Sequence, residues 1–196
     1  VLKEIQIHCD ESSHHGHCKI TAQAGLACAI FSRKAANEGI NGAEFLSGIP
    51  GTIGGALAMN AGAFGGETWR YVESVEMINH KGEISQHIPE EFNIAYRHIE
   101  LKEQAKQQWF ISGTFCFDKD EQGLAQSKQE IKRLLAKRAE TQPTKQANAG
   151  SVFKNPDNDY AARLIEACGM KGESINQAQV SEKHANFIYH KGNAKA

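Results

Sequence analysis

The chain has 196 residues, 40% hydrophobic and 23% charged, with a formal net charge of −1 at pH 7. That balance is ordinary for a globular protein of one large domain or two small ones, and it excludes the broad basic field that nucleic acids and anionic membranes select. No run approaches the roughly 18 apolar residues of a membrane span, and "VLKEIQIHCD" lacks a signal-peptide layout, so the expectation is a cytoplasmic chain with neither nucleic acid nor membrane as partner.

Residues 3–9 alternate through Ile5, Ile7 and Cys9, and 19–24 alternate through Ile20, Ala22 and Ala24, which predicts two strands around a polar turn. "LACAIFSRKAANE" (26–38) places Leu26, Ile30 and Phe31 at helical spacing, with Gly39 as its stop. "VESVEMINHKGEISQHI" from Val72 reads as a hairpin turning at Lys81–Gly82. "WFISGTFCFD" (109–118) is β-rich in aromatic and β-branched residues. The clearest helix is 121–140, striped by Leu124, Ile131, Leu134 and Leu135. A loop with a short strand at Ser151–Phe153 follows, then a helix at "YAARLIEACG" stopped by Gly169, then a β run in "HANFIYHKG". Strands and helices mix without regular βαβ alternation, so the expected class is α+β.

Five cysteines at 9, 18, 28, 116 and 168 contain no CxxC pair. An odd, dispersed set predicts reduced, mostly buried thiols rather than a disulfide framework or a zinc site. "HCDESSHHGHCK" (8–19) carries four His and two Cys, but Ser12, Ser13 and Gly16 between strand-like runs make a hairpin tip simpler than a metal site.

"GAEFLSGIPGTIGGALAMNAGAFGGE" (42–67) holds eight of the eighteen glycines and only two charges. It matches neither GxGxxG nor the P-loop. Thr52 is placed to cap a short helix at "IGGALAMN" whose free N–H groups would face an anion. A tight turn packed against small residues (Ala56, Ala58, Ala61, Ala63) accounts for the composition equally well. In "AYRHIE" an Arg sits between two strand-like stretches, where a surface role is the default. "NAGSVFKNP" (148–156) is not the GxSxG elbow. It offers a proton-donating hydroxyl with Lys and Asn beside it, or an ordinary β-turn.

Taken in order, "GAEFLSGIPGTIGGALAMNAGAFGGE", "YR", "QP…NAGSVFKNP", "AARLIEACGMKG" and "VSEKHANFIYHKGNA" resemble the UDP-N-acetylenolpyruvoylglucosamine reductase (MurB) family over essentially the whole chain. The resemblance implies a flavin-binding region of the vanillyl-alcohol-oxidase type in residues 1–118, followed by part of a substrate-binding domain in 119–196. It implies FAD and NADPH as cofactors and UDP-N-acetylglucosamine enolpyruvate as substrate, reduced to UDP-N-acetylmuramate for peptidoglycan. Ile49, Pro50, Gly51, Thr52, Gly54, Gly55, Ala56, Asn60, Gly62 and Ala63 would line the FAD. By the same resemblance Arg97 stabilises the developing enolate, Ser151 protonates the adjacent carbon, and Arg138, Lys154 and Asn155 contact the UDP-sugar.

Three departures accompany the resemblance. The family's Gly-Ser-Asn-rich flavin loop would lie before Val1, and its C-terminal catalytic glutamate would fall after Ala196. The Ser often found two positions after the "YR" arginine is Ile99 here. The first two imply a fragment with little or no turnover alone. The alternative is a catalytically incomplete fragment or UDP-sugar-binding remnant, against which the Arg97–Ser151 pair counts. "GSVFKNP", a substrate-domain motif, counts against a flavoenzyme of another specificity.

Overall fold

The computed structural model describes residues 2–9, 16–103, 107–119 and 123–192. They divide into two units, Val1–Leu134 and Leu135–Ala196. In the first unit, chain order gives β1 (Ile5–Cys9), β2 (His17–Gln23), α1 (Cys28–Asn37), β3 (Ile40–Asn41), α2 (Ile53–Ala58), β4 (Gly62–Ala63) and β5 (Gly66–Glu67). Then come β6 (Val72–Asn79), β7 (Ile84–His87), β8 (Phe92–Ala95), β9 (His98–Leu101), β10 (Gln108–Lys119) and the first part of α3 (Gly123–Thr141).

The expected alternation near the N-terminus is real. β1 pairs with β2, and Cys18, Ile20 and Ala22 are fully buried while Lys19 between them is exposed. The sheet runs β1-β2-β10-β6-β7, all antiparallel, with β3 pairing the last two residues of β10. α1 covers it through Phe31, whose ring meets Phe115 edge-on at 5.1 Å between centroids. Gly39, at φ 74, ends the helix where a side chain would be strained. Truncating Phe31 to Ala would cost about 3–5 kcal/mol, because nothing else fills that fully buried volume. The β6–β7 hairpin turns as expected at Gly82 (φ 81), and Asn79 Oδ1 accepts the N–H groups of Lys81 and Glu83.

Two expectations are corrected here. Cys9 and Cys18 form a disulfide, so these two thiols are not reduced, and Cys168 is exposed rather than buried. Register is the cause: the two residues stand directly opposite, with Cα atoms 4.1 Å apart, the close spacing of a non-hydrogen-bonded antiparallel pair. On α3, Ile131 and Leu134 are buried, but Leu124 and Leu135 remain 44% and 42% exposed. The inward seam instead includes Ser127, whose hydroxyl lies against the side chains of Asn41 and Glu44. Gly123 opens the helix so close to Gly39 that a Cβ would stand 2.2 Å from its carbonyl oxygen.

The second unit holds the rest of α3, β11 (Asn148–Ser151), α4 (Ala161–Ala167), β12 (Ser174–Ile175), β13 (Ala178–Val180) and β14 (Phe187–His190). Its sheet runs β11-β14-β13-β12, again antiparallel. Lys183 Nζ donates to Ala139 O, a cation on the carbonyl end of α3. The strand expected at Ser151–Phe153 lies earlier, at Asn148–Ser151, with a register shift inside it. The class is α+β, as expected. Among the described residues no helix is long and apolar enough to cross a membrane.

Candidate active site

Within 42–67, a 3-10 turn at Glu44–Gly48 buries Phe45 and Leu46, and the chain then surfaces at Pro50–Gly51. Thr52 caps α2 as its sequence position suggested, its hydroxyl accepting the Gly55 N–H at 3.5 Å. The first-turn N–H groups are not left open for an anion, however. Ile53 N–H donates to Leu26 O and Gly54 N–H to Ala24 O, both at 2.8 Å, and Thr52 bridges to Ala27. The β2–α1 connection thus takes these donors, so of the two readings open from sequence the packed turn describes the start of α2.

The glycines divide by what surrounds them. A Cβ on Gly54 would stand 2.8 Å from that of Ala24, and one on Gly62 would stand 2.6 Å from Gly66 O, so the fold itself needs both. Gly51 has open space within 4 Å, and Gly55 has only the Thr52 hydroxyl at 3.8 Å. Neither packing nor a left-handed φ demands glycine at these two exposed positions. Their bare backbone is what close approach of a ligand requires.

Thr52, Gly54 and Gly55 form one wall of a cavity of about 600 Å³. Met77, Phe92, Ile99, Leu101, Trp109 and Phe110 also line it. The volume and largely apolar lining are those of a small-molecule site. Ala56 and Asn60 do not reach it. Ala56 is 1% exposed in the core, and Asn60 is 3% exposed with its side chain engaged internally. Ile49 packs partly against the core, and Gly62 and Ala63 form β4. The turn from β4 to β5 carries Phe64 at φ 55 and Gly65 at φ 87, an uncommon conformation for a phenylalanine.

Arg97 occupies the tip of the β8–β9 hairpin, where Ala95 pairs with His98 across Tyr96–Arg97. Its φ of 50 is left-handed, at a cost of roughly 1–2 kcal/mol for a residue with a Cβ. Strain of this kind persists only where surroundings impose it. One such restraint is Asn60. Its Oδ1 accepts the buried Trp69 N–H at 3.0 Å, and its Nδ2 donates to Glu67 Oε2 at 3.1 Å and Ala95 O at 3.4 Å. The Gly-rich segment is thereby tied to the residue two before Arg97, while Ile99 from the same hairpin lines the cavity. Sequence reasoning took Asn60 for a ligand contact and had no local signal for this link.

In the second unit, Ser151 ends β11 opposite Phe187, directly after Gly150 at φ 85. Asn148 Oδ1 accepts the Gly150 N–H at 3.0 Å, which holds the irregularity. Irregularities of this kind re-aim the side chain that follows. Lys154 and Asn155 are exposed, and Asn155 Oδ1 accepts the Ala161 N–H at the start of α4. Arg138 donates from Nε to Gln142 Oε1 at 2.9 Å, and burial pulls its guanidinium below the usual arginine range. Gln142 lines a second cavity of about 310 Å³ with Lys145, Lys183 and Tyr189; Ser151, Lys154 and Asn155 do not line it. Burial also lowers the His184 pKa, with the nearby Lys171 charge adding to the effect. The tip of the His-rich turn, residues 10–15, lies outside the described residues; among those described, no group of three or more His, Cys, Asp or Glu could hold a metal ion.

Residues 9–86 match the model of an FAD binding domain, and residues 142–196 match the model of the UDP-N-acetylenolpyruvoylglucosamine reductase C-terminal domain. This chain is homologous to the UDP-N-acetylenolpyruvoylglucosamine reductases. The reductase of Coxiella burnetii (strain RSA 493 / Nine Mile phase I) is 53% identical over 187 residues, which is 95% of this chain and 58% of the relative. That of Legionella pneumophila (strain Corby) is 53% identical over 178 residues, or 90% of this chain and 56% of the relative. The crystal structure of the Thermus caldophilus reductase (MurB) superposes with a TM-score of 0.79 at 32% identity, over 89% of this chain and 63% of that one. The chain therefore spans a little over half the length of the reductases it matches.

Proposed function

We propose that this chain carries flavin-facing and substrate-facing elements of a cytoplasmic, NADPH-dependent reductase that converts UDP-N-acetylglucosamine enolpyruvate to UDP-N-acetylmuramate. In this reading residues 1–118 serve the flavin and 119–196 the substrate. The observation that carries it is the shared cavity: the bare backbone at Gly55 forms one wall, and the hairpin that ends in the strained Arg97 supplies another. FAD, when bound, supplies the two-electron relay between NADPH and the substrate. Gly51, Thr52, Gly54 and Gly55 would hold it, with Ile49, Pro50, Gly62 and Ala63 flanking. Ala56 and Asn60 would support that surface from behind.

Reduction of the enolpyruvyl double bond adds a hydride equivalent at one carbon and a proton at the other. Negative charge develops between these events on the conjugated carboxylate. Arg97 answers it with a fixed cation, and a group already oriented before the charge appears is worth far more than one that must reorganise. Ser151 donates the proton. A serine hydroxyl is a weak acid, so transfer depends on exclusion of water and on exact placement of its Oγ. Lys154 and Arg138 supply cations for the diphosphate. Asn155, with its Oδ1 on the Ala161 N–H, offers its Nδ2 to a ligand oxygen.

A second reading is that the chain binds the UDP-sugar without turnover, through residues 142–196 that match the reductase C-terminal domain. NADPH oxidation at 340 nm, run with the enolpyruvyl substrate and FAD, separates the two. Turnover that falls on the order of 10²–10³-fold in Arg97→Ala and is lost in Ser151→Ala supports the first. Binding of FAD and substrate without turnover supports the second. Failure to bind either ligand would sink both.

A further inference from the structure

We propose that Asn186 is the positioning residue for Ser151, a step that rests on the reading of Ser151 as the proton donor. β11 ends at Ser151, and residues 152–155 beyond it are exposed. Asn186 takes over where the sheet stops. Its Oδ1 accepts the Phe153 N–H at 2.9 Å, its Nδ2 donates to Phe153 O at 2.9 Å, and its own carbonyl accepts the Val152 N–H at 3.0 Å. The side chain thus acts as a strand partner for one further residue. Its orientation is fixed by the partners: a flipped amide would set donor against donor and acceptor against acceptor.

Ser151 is consequently held from both sides. Asn148 fixes Gly150 before it, and Asn186 fixes Val152 and Phe153 after it. Asn186 is 3% exposed. At that burial, loss of either amide function removes a hydrogen bond from a Phe153 backbone group, and among the described residues no strand pairs with the chain beyond Ser151.

Substitution by Asp gives a test that a general packing role would not pass. A neutral carboxylic acid reproduces the amide pattern, its C=O accepting from Phe153 N–H and its O–H donating to Phe153 O. The ionised form turns two acceptors toward that carbonyl. Burial favours the neutral form, which moves the transition upward from the ordinary carboxylate range. Amide exchange of residues 151–155 is measured in the parent, Asn186→Asp and Asn186→Ala at pH 5 and pH 8, corrected for intrinsic exchange. His184 Nδ1 accepts the Asn186 N–H, so the parent at each pH is the control for that titration.

The expected result is parent-like protection in Asn186→Asp at pH 5, a loss of roughly three- to ten-fold at pH 8, and loss at both pH values in Asn186→Ala. Parent-like protection of Asn186→Asp at pH 8, or equal loss at both pH values, would overturn the assignment. Affinity for UDP-N-acetylglucosamine enolpyruvate, titrated in parallel, reads the functional half separately. Affinity that falls only where protection falls supports the whole proposal. Affinity that ignores the loss of protection removes the substrate role of this segment, and with it the positioning of Ser151 for reaction.

Discussion

Replacing Asn60 separates a residue that supports the site from one that touches a ligand. Asn60→Ala removes three hydrogen bonds at 3.0, 3.1 and 3.4 Å and leaves the Trp69 N–H buried without its acceptor. An orphaned buried donor costs about 1–3 kcal/mol, and the remaining bonds contribute roughly another 1 kcal/mol. Asn60 also sits at φ 40, where Asn is tolerated and Ala is disfavoured by about 1 kcal/mol. The expected loss is therefore about 3–5 kcal/mol. Asn60→Gly loses the same bonds but relieves the backbone, so it should be milder by about 1 kcal/mol. Urea unfolding followed by tryptophan fluorescence is the assay, because both tryptophans, Trp69 and Trp109, lie in the first unit and report on it alone. At a slope of about 2 kcal/mol per molar urea, the Ala variant's midpoint falls by roughly 1.5–2.5 M. A loss under about 0.5 kcal/mol for Ala, or a Gly variant no better than Ala, refutes the reasoning. A ligand-contact role would instead leave the ligand-free chain nearly as stable and appear in cofactor affinity.

Burial pushes the Cys28 thiol up to about 12, whereas Cys168 is exposed. Iodoacetamide at pH 8 should therefore label Cys168 first and Cys28 only on unfolding; early modification of Cys28, read by peptide mass, contradicts the packing of α1. Reducing the Cys9–Cys18 bond should lower the stability of the first unit by about 2–3 kcal/mol on the loop-entropy estimate for so short a loop. Superimposable urea curves with and without reductant would reject that. The Arg163 guanidinium beside Asp159, helped by the Tyr160 N–H, holds its carboxyl down at about 2. Because the folded value lies below the unfolded one, the stability this pair adds is complete above about pH 4 and is lost as pH falls through about 2. A carboxyl ¹³C titration of Asp159 with its midpoint at 4 would show that the pair does not persist in solution.

The sequence was most informative where one face of an element is buried. The alternation of Ile5, Ile7 and Ile20 and the Lys81–Gly82 turn each carry a local reason for their structure. The stripe expected in α1 holds only at Phe31, since Ile30 is 39% exposed, Leu26 precedes the helix, and Cys28, Ala35 and Ala36 complete the buried face. The β8–β9 hairpin gave less, because its turn holds Tyr96 and Arg97 where Gly or Asn would normally signal a left-handed residue. Cysteine number and spacing misled for a related reason. Cys9 and Cys18 meet through strand register, which no count of cysteines contains. Asn60 and Asn186 were the least legible, since their partners lie up to 35 and 33 residues away.

Those two asparagines solve the same physical problem in separate units. Each supports a segment at which the regular hydrogen-bond ladder gives out, next to a residue proposed for chemistry. Asn60 accepts from the Trp69 N–H and donates to the Ala95 carbonyl; Asn186 accepts from the Phe153 N–H and donates to the Phe153 carbonyl. A site that faces a backbone donor on one side and a backbone acceptor on the other needs both functions in one planar group. Serine offers a single oxygen, and ionised aspartate offers only acceptors. Glutamine carries the right group on a longer stem, with one more rotor to order. Asparagine supplies the pair at this reach whatever the pH, so the residues that hold Arg97 and Ser151 should be less replaceable than Lys154, whose exposed ammonium needs only to bring a charge near a phosphate.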